Sequence, residues 1–506
     1  MGIPYYFSLL IKRHKNIIEK LEGRTVCHNL YLDSNSIIYD AIDFQNFVNK
    51  SQFESYLVQK VILKIESIVA LVKPLEKIII AIDGVPPFAK VSQQKDRRYK
   101  SWYQNKLLEK DVKWDTCAIT PGTQFMHGLN TALKAHFVAP NYILMLSDVP
   151  GEGEHKIFDH IRMKKEEQEE EQEKKTTIIY GMDADLIMLC LNHLKICPSL
   201  YLYRETPHFI GVLDSNLNAD STYLMNIAAL GDQIYLELSN SKRDRDNYHA
   251  KIADYIFLCF LLGNDFLPHF PALNIRTSGF TILLDLYKMM FGKTNLLRSD
   301  TTIDWPNFKR FLAKLALNED NFIKENYNLK TKRRMVYKTE EERIVLTPCW
   351  DRNIEIFINP HEEEWEYRYY YALFELDLQD SKNQKEEDSK NQEIASICQD
   401  YLKSLLWTHN YYKGPCENWT HHYKYAYPPL LKDLVRYVPF SEQELVLKKD
   451  MTIMDPHMLL IHVLPWNSLH LLPDAVRKNL DLKAYREDYE IIHPFCRYLW
   501  EGHVKF

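Results

Sequence analysis

Four short apolar runs in this chain break off into carboxylates: NLYLDSN (29–35), KIIIAIDGVPP (77–87), NYILMLSDVPGEGE (141–154) and TTIIYGMDADL (176–186). Strands that are apolar at successive positions, without alternation, are strands covered on both faces, as in parallel sheets. Helix-like stretches such as 52–72 separate the runs. The pattern therefore predicts an α/β fold with a mostly parallel central sheet flanked by helices. In open sheets of this kind, sites form beyond the carboxyl ends of the strands, which is where these acids fall.

The acids in question are Asp33, Asp83, Glu152, Glu154, Asp183 and Asp185, joined by Asp265 in FLLGNDFLPH. Any one of them could be an ordinary loop or cap residue. Together they need a counter-charge, because two carboxylates about 4 Å apart repel by roughly 4 kcal/mol at an effective dielectric of 20. Hard divalent cations meet that need. Magnesium takes oxygen ligands and requires neither His nor Cys, and two such ions can drive phosphodiester hydrolysis. In GEGE and DAD the acids stand two apart, so in an extended segment they point the same way.

After Asp83 the segment GVPPFAKVSQQKDRRYK opens with prolines suited to a helix start. Lys90, Gln94, Arg97 and Arg98 then share one helix face. From Gly84 to Lys100 there are five basic residues and one acid, Asp96, in a chain of net charge −6. Arg suits bidentate phosphate contact, so this face is a candidate phosphate reader. The competing reading is a solvated basic helix.

The nine cysteines are scattered, with no CxxC pair to suggest zinc. The start MGIPYYFSLLIKRHK has no cleavage-like end, and Tyr6 stands where a myristoylation motif needs Ser or Thr. The longest apolar stretch, YIFLCFLLG from Tyr255, is about half the roughly 20 residues that cross a bilayer. No membrane association is expected. Two low-complexity segments punctuate the chain: KKEEQEEEQEKK (164–175), an acidic insertion, and a polar linker over 376–394. The expected organisation is a nuclease core over 1–375 and an aromatic-rich, helical C-terminal region over 395–506.

MGIP, LYLDSNSIIY, AIDGVPPFAKVSQQKDRR, SDVPGEGEHKI, IYGMDADLIML and FLLGNDFLPHFPALNIRTSGF, in that order, resemble the first conserved region of the 5'→3' exoribonucleases of the Xrn/Rat family. EYRYYYALF, YYKGPCENW and LPDAVR resemble the second. The resemblance implies a PIN- or flap-nuclease-like core and hydrolysis of single-stranded RNA from a 5' monophosphate to mononucleotides, processively, in the decay of decapped mRNA. It implies two Mg2+ ions, for which Mn2+ can substitute, held by Asp33, Asp83, Glu152, Glu154, Asp183, Asp185 and Asp265 as the catalytic set. Lys90, Gln94, Arg97 and Arg98 would bind the 5' phosphate. A monomer, served by decapping machinery, is expected.

The chain departs from the family's pattern at several places. The histidine that stacks on a 5' base is Tyr39 here, and Phe88 stands where a basic residue is usual. In NWTHHYKYAYPP, Trp419 is the candidate second stacker and His421 replaces the other tryptophan. Cytoplasmic members continue far beyond this length, so the resemblance implies a compact, diverged member such as a large virus could encode. Two alternatives stay open. One is a flap-type structure-specific nuclease, and the other is an inactive RNA-binding protein on the same scaffold. KTKRR (330–334) can be read as a nuclear localisation signal, an RNA-facing loop or a solvated loop; cytoplasm is favoured over nucleus.

Overall fold

The computed structural model describes residues 5–21, 26–44, 49–110, 112–167, 175–239, 245–299, 302–333, 336–378, 384–441, 444–480 and 489–505. Among these, the main sheet comprises β1 (Ile18–Lys20), β2 (Asn29–Asp33), β3 (Lys77–Ala81), β4 (Tyr142–Met145), β5 (Thr177–Tyr180), β6 (Leu200–Tyr203) and β7 (Tyr223–Asn226). They lie in the order β1-β7-β6-β5-β2-β3-β4. From β6 to β4 every pairing is parallel; β7 runs antiparallel to both β6 and β1. The expected α/β fold with a mostly parallel sheet is the observed one.

Helices α1 (Tyr6–Arg13), α2 (Asn35–Asp40), α3 (Lys50–Val72), α4 (Phe88–Leu107), α5 (Gln124–His136), α6 (Gly153–Glu167) and α7 (Asp185–Asn192) fill the intervals. Both faces of the central strands are buried, which accounts for their unbroken apolar runs. Leu30, Leu32, Ile78 and Ile80 pack against α3 and α5 on one side. Tyr31, Ile79 and Ile179 join Ile157 and Phe158 of α6 and Ile187 of α7 on the other. Helix α3 starts where Asn49 accepts a hydrogen bond from Gln52 N at 2.9 Å. It buries Phe53, Leu57, Val61, Ile65, Ile68 and Val72, one face of the helix. An alanine at Ile65 would cost about 2–5 kcal/mol.

Order reverses between β5 and β2: the chain walks from β2 out to β4, then returns to place β5 on the other side of β2. Such a switch point opens a crevice at the strand ends. It lies between the end of β2, which carries Asp33, and the end of β5, which leads to Asp183 and Asp185.

Beyond the sheet the chain becomes helical, including α8 (Arg245–Cys259), α9 (Gln384–Lys413) and α10 (Pro456–Val463). The polar stretch expected as a linker over 376–394 differs from that reading from residue 384 onward, where the first turns of the 30-residue helix α9 begin. Its Glu, Lys and Gln content favours helix, and Ile394, Ile397, Cys398 and Tyr401 anchor the following turns by burial. Residues of α9 share a hydrophobic core with α7 and α8, so the C-terminal region packs directly onto the sheet domain. Of the acidic insertion at 164–175, α6 takes the start to Glu167; residues 168–174 lie outside the described set. No helix among the described residues is long and apolar enough to cross a membrane.

Candidate active site

Each strand end delivers its acids to one place. Asp33 is the last residue of β2, Asp83 lies two residues past β3, and Asp183 three past β5. Glu152 sits in the turn before α6, Glu154 in the first turn of α6, and Asp185 is the first residue of α7. Negative charge at a helix start is favoured by the unpaired amides there. Asp265 arrives from the turn after α8, where Gly263 adopts φ +85° and Asn264 Oδ1 accepts from Phe266 N and Leu267 N, both at 2.9 Å.

The convergence is tight. Asp83 Oδ1 accepts from Gly153 N at 2.6 Å, and Asn35 donates from its amide to the other oxygen of Asp83. A Cβ built on Gly153 would lie 2.8 Å from Asp33 Oδ1 and 3.4 Å from Asp83 Oδ1. A side chain at this position would push the Asp33 carboxylate out of place, so the glycine lets two carboxylates close on the backbone. Lys90 Nζ, from α4, lies 2.6 Å from Glu152 Oε2 and 2.7 Å from Asp265 Oδ2. Tyr411, near the end of α9, donates to Glu152 Oε1 at 2.9 Å and stacks on His155 at 3.7 Å between centroids. Burial, and then the charge of Asp185, raise the hydroxyl pKa of Tyr412 well above normal.

Burial and mutual repulsion set the electrostatics. Asp33, Glu152, Glu154 and Asp185 are all buried. Burial, helped by Asp83, raises the Asp33 carboxyl well above the usual range. Burial raises Glu154 well above it too, against the pull of Lys90, and pushes Asp185 up to about 7 with the help of Asp265. At Asp265 burial works in the same direction, but the adjacent Lys90 ammonium wins and holds the carboxyl below its normal value. Glu154 Oε2 and Asp185 Oδ1 are buried with no hydrogen-bond partner. Clustered acids with orphaned buried oxygens are a donor set that fits hard divalent cations. The ligand atoms of Glu152, Glu154 and His155 also lie within 4.8 Å of one another. Burial lowers the His155 pKa well below normal, leaving a neutral ring able to coordinate.

The four residues of the basic helix face take different positions. Lys90 stands among the acids. Gln94 and Arg98 are buried, with Arg98 Nη2 donating to Thr120 Oγ1 at 2.8 Å and Nη1 reaching Gln94 Oε1 at 3.4 Å. Arg97 has no ion pair among the described residues. Burial works against its charge, yet Tyr39, Asp265, Asp183 and Asp83 raise its pKa. Arg97, Arg98 and Tyr39 line a cavity of about 760 Å³ together with Trp102 and Trp114. Tyr39 is 39% exposed, free to meet a planar partner. Trp419 does not line this cavity. Its carbonyl accepts from Phe88 N at 2.8 Å, which ties its backbone to the start of α4.

Asn35, His155, Lys156, Tyr411 and Tyr412 were not singled out from sequence. Lys156 Nζ donates to Ile82 O at 2.7 Å and Leu146 O at 2.9 Å, tying the ends of β3 and β4 beneath the acids. Three of the five lie one or two residues after motif acids, as in LDSN and GEGEHK, and that proximity was the available signal. The two tyrosines lie more than 250 residues from Glu152 in sequence and offered none.

Comparison with known proteins covers nearly the same extent as the fold. The family model described as the XRN 5'-3' exonuclease N-terminus matches residues 1–206, and that of the Xrn1 helical domain matches 246–353 and 358–505. The chain is 26% identical to 5'-3' exoribonuclease 1 of Saccharomyces cerevisiae, over 94% of this chain and 40% of that protein. Against 5'-3' exoribonuclease 1 of Homo sapiens it is 27% identical, over 94% of this chain and 31% of the relative. Against 5'-3' exoribonuclease 2 of Kluyveromyces lactis the figures are 29%, 65% and 40%. The chain thus spans less than half the length of these three relatives.

Proposed function

Because this chain belongs to the XRN 5'-3' exonuclease family, we propose that it is a 5'→3' exoribonuclease. It hydrolyses single-stranded RNA from a 5' monophosphate and releases mononucleotides, processively and with two divalent cations. The observation that carries this reading is the convergence of seven acids at the sheet's switch point, directly beside the basic face of α4.

Asp33, Asp83, Glu152, Glu154, Asp183, Asp185 and Asp265 would hold the cations, with Mg2+ the natural occupant of an oxygen-rich set and Mn2+ able to substitute. When bound, the metal supplies positive charge to the scissile phosphate and activates water for in-line attack. The chain's own residues do the rest. Lys90, Gln94, Arg97 and Arg98 bind and orient the 5' phosphate, Lys90 linking that pocket to the acids. Tyr39 stacks on a 5' base, worth about 1–3 kcal/mol, with Trp419 a second candidate. Tyr411 holds Glu152 in place. A cap or triphosphate would not fit a pocket built for one phosphate, so RNA must be decapped first.

The test is a magnesium time course on one RNA bearing a 5' monophosphate, hydroxyl or triphosphate, labelled at its 3' end. Loss of the monophosphate form alone, without ladder intermediates, is expected. Equal cleavage of all three, or internal products, would mean an endonuclease and leave α4 as a general backbone contact.

A further inference from the structure

Helix α4 has a second working face. Ala89, Ser92, Gln93, Asp96 and Lys100, about a third of a turn from the Lys90 face, line a separate cavity of about 420 Å³. This is within the range of about 300–1,000 Å³ usual for small-molecule sites. Its opposite wall is the loop Gly263–Leu267, so it reaches Asp265 from behind. Tyr423, Tyr425, Tyr427, Phe495 and Trp500 supply aromatic surface.

Several lining residues present polar atoms with no partner: Gln93 Oε1, Asn264 Nδ2, His269 Nε2 and the Tyr427 hydroxyl. Tyr427 is only 4% exposed. The orientation of Asn264 follows from its contacts, since two backbone N–H groups hold its Oδ1 and leave the NH2 as a free donor. Buried polar groups are normally paired, so a cluster left open along one cavity marks a place built for a polar, planar guest.

A smaller cavity of about 140 Å³ adjoins it, the two sharing Pro271, Asn274, Arg276, Phe495 and Cys496. This one is cationic: Arg276, Lys330, Arg333 and Arg497 line it against Glu355 alone. Arg276 is taken up by Glu501, and Lys330 by Glu355 and by Cys496 O at 2.8 Å. Arg333 and Arg497 have no ion pair among the described residues, and Arg497 Nε is buried without a partner. Lys330 and Arg333 belong to KTKRR, the basic run whose role sequence left open.

We infer that the paired cavities form a nucleoside 5'-monophosphate site distinct from the 5'-phosphate pocket of the substrate. The base lies among the aromatic rings with Gln93, Asn264 and Tyr427 on its polar edge; the phosphate lies at Arg333 and Arg497. Asp96, on the wall of the larger cavity, accepts from a ribose hydroxyl. Since the larger cavity backs onto the Asp265 loop, the nucleotide it takes is the one the proposed exonuclease releases, or the same molecule from solution. This assignment of the guest rests on the exonuclease reading; the site itself rests on the cavities.

The test is calorimetric titration of AMP, adenosine and inorganic phosphate into the full chain in EDTA, with and without a saturating 5'-phosphorylated oligonucleotide. AMP is expected to bind in both conditions, more tightly than adenosine or phosphate alone. Arg497→Gln is expected to weaken AMP by about 10–150-fold, and Tyr427→Phe, which removes one hydroxyl, by about 2–10-fold. Complete displacement of AMP by the oligonucleotide, or indifference to both substitutions, would overturn the site. Phosphate binding as tightly as AMP would reduce it to an anion hole and overturn the nucleotide assignment. If the oligonucleotide fails to bind while AMP remains sensitive to Arg497, it is the exonuclease reading that falls.

Discussion

Replacing Lys90 by methionine keeps the aliphatic stem and removes the cation. Its ammonium lies within 2.7 Å of two carboxylates, with side-chain exposures of 8% for the lysine, 2% for Glu152 and 4% for Asp265. Removing one partner of a buried ionic cluster costs about 3–5 kcal/mol, because the charges left behind have no counter-ion. At about 2.1 cal/mol/K per residue, whole-chain unfolding of 506 residues carries about 1.1 kcal/mol/K, so Tm should fall by about 3–5 °C in EDTA. Magnesium should close most of that gap, since cations neutralise the same carboxylates. The assay is differential scanning calorimetry of wild type and Lys90→Met with EDTA and with magnesium. An equal fall in both conditions would refute the reasoning and leave Lys90 as a packing residue.

Asp183→Ala and Asp265→Ala should each abolish cleavage while RNA binding, read by fluorescence anisotropy, stays within a fewfold of wild type. Arg97→Ala should slow decay of 5'-phosphorylated RNA far more than that of 5'-hydroxyl RNA; equal slowing of both removes the phosphate role. Gly153→Ala pushes a methyl against Asp33 and Asp83, and small misplacements of catalytic groups cost on the order of 100-fold; single-turnover rates would show it. Glu319 is buried, accepts from Leu431 N and Lys432 N, and is raised by burial to about 7. A raised carboxyl favours folding while protonated and loses that advantage as pH rises through its folded value. Wild type should therefore lose stability relative to Glu319→Gln between pH 5 and 8, measured as a Tm difference.

How far sequence reached follows from which forces are local. The strand runs declared themselves because burial on both faces forces continuous apolar side chains, and the acids stood at their ends. Alternation at Leu30, Tyr31 and Leu32 says nothing about which helix covers which face. That is a matter of long-range packing. For the same reason the position of Lys90 between Glu152 and Asp265 was invisible: its helix face suggested phosphate, and the three residues come from elements far apart in the chain. The polar run before Ile394 reads as a linker on composition alone, and only its burial partners downstream make it the start of α9. The backbone contact of Trp419 with the start of α4 was equally out of reach, since more than 300 residues separate the two.

Tyr411 gives the site an order of assembly. A ribosome adding about 5–20 residues per second takes about 20–75 s to travel from Asp33 to Tyr411, and throughout that interval the strand-end acids are present without the helix that braces Glu152. The nascent chain is a bare acidic cluster without its C-terminal wall. Glu152 therefore gains its hydrogen-bonded partner only after the last turns of α9 have been made, so the acidic cluster must persist for that interval without it.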